Sequence, residues 1–123
     1  VLDWATLLDR YTRGDYQAMA FTYSARLDAS LSYEMIIGPK DKQPRKVWDT
    51  PEAIRLLGNS MNTTDRAQRE AMFDSLDARL LEDVPAVFFY SEMRTSAARD
   101  YVKGYKGWPM GQPRAWGVSM AGR

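Results

Sequence analysis

Seventeen basic and sixteen acidic side chains, with no cysteine and no histidine, set the chemistry open to this 123-residue chain. Without thiol or imidazole there is no thiolate nucleophile, no zinc site built on Cys or His, and no Ser-His-Asp relay. What remains is the chemistry of carboxylates and guanidinium groups. The adjacent acids Glu82 and Asp83 fall in a helical pattern, where neighbours point in different directions and cannot flank one scissile bond. Gly104, Gly107 and Gly111 are too widely spaced to cradle a phosphate, and no Lys-Ser/Thr follows a glycine loop. The chain therefore reads as a binder and not an enzyme, with no catalytic residue, metal or cofactor expected. The near-balance of charge also removes the electrostatic basis for a broad grip on nucleic acid.

The binding candidates gather after an apolar stretch, YQAMAFTY, at residues 16–23. In open α/β sheets ligands sit beyond the carboxyl ends of strands. Tyr23, Ser24, Arg26 and Asp28 stand at that position. Arg26 is suited to a bidentate contact with a carboxylate or phosphate; its alternative is a surface ion pair. Tyr23 either stacks on a ligand or caps a core. Asp28 is a turn former by residue type. Trp48 either lines a cleft or pins its loop to the core. Arg69 lies on the apolar stripe of a long helix, and a buried guanidinium needs carboxylate or carbonyl partners. Asp83, just before Pro85, is suited to bonding backbone at the end of that helix. Lys40, Lys42, Arg45 and Lys46 read as a solvated, proline-bounded loop.

Among the elements that must position these residues, Trp4, Leu7, Leu8 and Tyr11 fall on one helical face, with Asp3 as cap and Gly14 as stop. Residues 16–23 read as a strand covered on both sides. Residues 31–37 read as a short helix capped by Ser30, ended by Gly38-Pro39. Thr50-Pro51 opens a helix, and Asn62-Thr63-Thr64 separates it from a longer one over 65–83, marked by Met72, Phe73, Leu76 and Leu80. Residues 86–90 read as a buried strand, 101–105 and 115–120 as shorter ones. Alternating strands and helices predict an α/β fold.

The order of these motifs resembles the C-terminal lobe of bacterial extracytoplasmic solute-binding proteins of family 5, the peptide/nickel type. Gly14-Asp15-Tyr16 resembles the family's "G-D-(Y/F)-D" strand entry. The segment YSARLDA at 23–29 resembles "W-S-G-R-x-D-P", and DRAQREAMFDSLDARLLEDVP at 65–85 resembles its long helix and "D-x-P" exit. Val102-Lys103-Gly104-Tyr105 and Trp116-Gly117-Val118 resemble its "V-x-G-Y" and terminal strand. Tyr23, Ala25 and Ala29 stand where the family carries tryptophan, glycine and proline.

The resemblance implies a periplasmic-binding-protein-like fold of type II, of which residues 1–123 are a partial domain with a return tail over about 104–123. The opening Val1-Leu2-Asp3-Trp4 is likewise read as lying inside a longer sequence. The implied function is capture of a peptide-like or other small solute, one with an anionic group, between two lobes. The solute would be handed to a membrane ABC permease, in a periplasmic or extracytoplasmic setting. Peptide-binding members carry an acid near Arg26 to meet a peptide amine; arginine there tilts the ligand toward an anion. The alternative is a free-standing α/β protein-interaction module. In the first reading, a piece cut from a two-lobe protein exposes its former lobe contacts and can self-associate artificially.

Overall fold

The computed structural model describes residues 2–24, 26–108, 110 and 112–122. Its first helix, α1 (Trp4–Arg13), starts where the Asp3 carboxylate accepts the Thr6 N–H at 3.1 Å and the Thr6 hydroxyl at 2.7 Å. It stops at Gly14, whose φ of 68° is left-handed. A Cβ there would lie 2.6 Å from the Pro44 carbonyl oxygen, so the 39–49 loop closes directly over the end of α1.

Three further helices come next: α2 (Ala29–Glu34), α3 (Pro51–Asn62) and α4 (Arg66–Asp83). Pro51 occupies the first turn of α3, where its missing N–H costs nothing. Asp65 caps α4 by accepting the Gln68 N–H at 2.8 Å. α3 packs on both α2 and α4. The core so formed comprises Ile36, Ile37, Trp48, Ala53, Leu56, Leu57 and Leu76, with Tyr23, Tyr33, Val47, Ile54, Phe73 and Leu80 against it. An isolated parallel bridge, Ile37 to Trp48, stitches the segment after α2 to the segment before α3.

The chain divides into two compact units, Val1–Val87 and Phe88–Arg123. The helices and the core belong to the first. The second holds a two-stranded antiparallel sheet, β1 (Val102–Lys103) with β2 (Ser119–Met120), in which Val102 faces Met120 and Lys103 faces Ser119. Trp108 and Trp116 meet edge to face at 5.6 Å, and the Arg114 guanidinium stands 5.3 Å from the Trp116 ring.

The α/β expectation is therefore corrected. The described residues make four helices and one short sheet, which is not an α/β lobe of a type II periplasmic-binding-protein-like fold. The difference lies in pairing. The stretches at 16–23 and 86–90 have the composition of strands, but a strand exists only where its N–H and C=O groups meet a neighbour. Neither stretch makes a backbone hydrogen bond to another described residue. The bulky, apolar run 87–90 is left more than 60% exposed instead of covered.

Two glycines separate backbone demand from helix propensity. Gly14→Ala is expected to destabilise by at least about 1–2 kcal/mol, from the left-handed φ alone, with the Pro44 collision added. Gly58→Ala, inside α3 with nothing within 4 Å of the new methyl, should instead stabilise by up to about 1 kcal/mol. Urea denaturation of both variants measures the contrast.

Candidate functional site

Residues 16–24, bent at 17–18, lie against α1 and are held there by rings. Phe21 stacks on Tyr11 at 4.2 Å and on Trp4 at 5.6 Å, and Tyr23 leans on Phe21 at 5.4 Å. Tyr23 is half-buried; burial first, then the neighbouring Tyr11 side chain, pushes its phenol well above the usual range. Its ring thus belongs to an aromatic cluster before it can serve a ligand. Ser24 and Arg26 are exposed beyond it, and Leu27 is 75% exposed. Ala25, between them, lies outside the described residues, as do Pro109 and Gly111 of the tail.

Asp28 ends this loop and starts the next helix. Its Oδ1 accepts the Ser30 N–H at 2.9 Å and the Ser30 hydroxyl at 2.6 Å, so it is the cap of α2, two residues before the cap expected at Ser30. Asp outcompetes Ser at this position because a carboxylate satisfies both donors at once. The same carboxylate accepts the Arg69 Nη2 at 2.8 and 3.0 Å. Arg69 also donates from Nε to the Ser60 carbonyl at 3.0 Å, and its guanidinium stands 5.5 Å from the Phe73 ring centre. The carboxylate and carbonyl partners that its place on the apolar stripe demanded are both present. Hydrogen bonds from Arg69 first and then Ser30 hold the Asp28 carboxyl down at about 2.

An open groove runs beside this pair, bounded by Leu27, Asp28, Arg66, Arg69, Glu70 and Phe73. Arg69 is engaged by Asp28, and Arg66 pairs with Glu70 at 2.9 Å. Arg26, one residue before the groove begins, makes no hydrogen bond or ion pair with the described residues.

Trp48 does not join the groove. It is 2% exposed, and its indole N–H donates to the Asp83 Oδ2 at 2.9 Å. Of its two readings, the placement is that of a pin between the 39–49 loop and the end of α4. Asp83 bonds this indole and not backbone. Lys46 departs furthest from its reading. It is 1% exposed, its ammonium bonds the Glu34 carbonyl and lies 2.7 Å from the Glu34 carboxylate, and its stem crosses Gly38. The signal was its position: Lys46 directly precedes the apolar pair Val47-Trp48, while Lys40 and Lys42 sit among polar neighbours. Among the described residues no group of three or more acids is placed to hold a metal ion, and no helix is long and apolar enough to cross a membrane.

No protein-family model, no curated protein and no solved structure matches the chain.

The depressed Asp28 carboxyl ties stability to acid. Because the folded state binds this proton less tightly than the unfolded one, the contribution is complete above about pH 4 and is lost as pH falls toward 2. Wild type and Asp28→Asn should diverge in stability at neutral pH and converge near pH 2. Parallel curves across that window would remove Asp28 from this role.

Proposed function

We propose that this chain contributes to the solute-binding component of an extracytoplasmic ABC importer and takes part in holding a small solute with an anionic group, without transforming it. Arg26 supplies the charge contact. The observation that carries this is a contrast between cations: Arg66 and Arg69, which line the groove, are paired with Glu70 and Asp28, while Arg26, one residue before the groove-lining Leu27, is exposed with no partner among the described residues. An unpaired guanidinium on a loop whose far end is clamped is well placed to meet a carboxylate.

The ordered motif resemblance supports the same reading, and the local structure gives part of that motif a physical sense. In the segment resembling "W-S-G-R-x-D-P", the aspartate is Asp28, the cap of α2, and the proline position is Ala29, the first residue of that helix. Aspartate at the cap and proline at the first helical position are each favoured there. The exchange of proline for Ala29 thus keeps the helix start. Tyr23 keeps an aromatic ring where the family has tryptophan, beside α1.

Capture of this kind works by closure: contacts made with the solute favour the closed arrangement of the assembled protein over the open one. Small solute and membrane permease are the partners this role requires. The test is to purify the protein expressed from its complete gene, identify any bound solute by mass spectrometry, and titrate Arg26→Ala with that solute. The expected solute carries a carboxylate or comparable anion, and the substitution should weaken binding by on the order of 1.5–3 kcal/mol. Unchanged affinity, or a solute lacking any anionic group, would return Arg26 to the surface.

A further inference from the structure

The loop that presents Arg26 is held at both ends. At its start, the Tyr23 ring leans on Phe21, meets Tyr11 edge to face at 6.3 Å and packs against the core. At its end, the Asp28 carboxylate accepts the Arg69 Nη2 at 2.8 and 3.0 Å. Only residues 24–27 lie between these anchors, and so short a segment reaches few arrangements once both ends are fixed. Tyr23 is fixed by rings close to it in sequence, whereas Asp28 is fixed by a side chain 41 residues away.

The guanidinium of Arg69 is suited to hold that end. It is 26% exposed, donates from Nε to the Ser60 carbonyl near the end of α3 at 3.0 Å, and stands 5.5 Å from the Phe73 ring centre. One planar fork thus ties α3 and α4 to the loop, which a lysine ammonium does not reproduce. The other ion pairs of α4, Arg66 with Glu70 and Arg79 with Glu82, stay on its own surface and tie nothing to it. We propose that Arg69 is the positioning residue for Arg26: through Asp28 it keeps the 24–27 loop ordered before the solute arrives, so that Arg26 meets the anion already in place. The anion contact rests on the solute reading above; the ordering of the loop does not.

Asp28→Asn separates the two duties of Asp28. The amide oxygen still accepts the Ser30 donors and caps α2, while the charge that holds Arg69 is gone. Backbone amide NMR relaxation on the full chain is expected to give an order parameter of about 0.85 at Arg26 in wild type and below about 0.6 in both Asp28→Asn and Arg69→Gln, with α3 unchanged. Acetate is the anion probe, read at the Arg26 Nε–H resonance. Asp28→Asn removes a negative charge two residues from Arg26, so electrostatics alone would tighten acetate binding. Loss of ordering should instead weaken it about threefold, as happens when the competent fraction falls to about a third. An Arg26 amide already mobile in wild type or still ordered in Asp28→Asn, loosening that spreads through α3, or acetate binding that holds or tightens overturns the proposal. Acetate that leaves the wild-type Arg26 resonance unmoved overturns the solute reading, and the order parameters then decide the positioning role by themselves.

Discussion

The Asp28 carboxylate is the point on which the first unit converges. It caps α2 through both donors of Ser30 and accepts the Arg69 guanidinium from α4, which in turn reaches the Ser60 carbonyl at the end of α3. Three helices thus meet at one ion pair. Asp28 is 41% and Arg69 26% exposed in their side chains, a depth at which screening weakens but does not erase the attraction. The value of the pair is therefore more geometric than energetic. It fixes where the 23–28 loop ends, and so where Arg26 is presented.

Three further polar links in this unit share a common pattern. Lys46 reaches Glu34, Trp48 reaches Asp83 and Tyr33 reaches Asp77, each from a side chain whose body packs in or against the core while its tip finds an acceptor. Tyr33 also stacks on Phe73, and burial, then Asp77, raises its phenol above the usual range. Small cores gain specificity from such tethers because each apolar body is fixed in one orientation by its polar end. Two of them, from Lys46 and Trp48, also help to hold the long loop at 39–49 in place.

Local signals were legible in the sequence wherever the cause was local. The Asp3 cap, the Gly14 stop, Pro51 and the apolar stripe of α4 all express interactions within a turn or two. Arg69 was readable as needing a partner, but not which one, because Asp28 is 41 residues away. Strand pairing was not legible, since YQAMAFTY and AVFFY state only that these stretches would suit a sheet, and a ladder depends on what lies alongside. The solvated reading of Lys46 failed for a related reason: burial of a lysine is decided by the fold around its stem, not by the charges beside it in sequence. In the candidate site, the loop could be placed from residue types, but its helix cap was expected at Ser30 and is Asp28; the engagement of Arg66 and Arg69 could not be read at all.

The exit from α4 has a further effect on the chain. Val84 closes that helix with φ at 44°, a left-handed conformation unusual for a β-branched residue, and Pro85 comes directly after it. Proline lacks the amide hydrogen a helix would need and obstructs the preceding turn. Helical growth from α4 is thus blocked at two successive positions, and the aromatic stretch beyond has no easy way to fold back into its own predecessor. Left outside the helix, its bulky side chains stand bare to solvent.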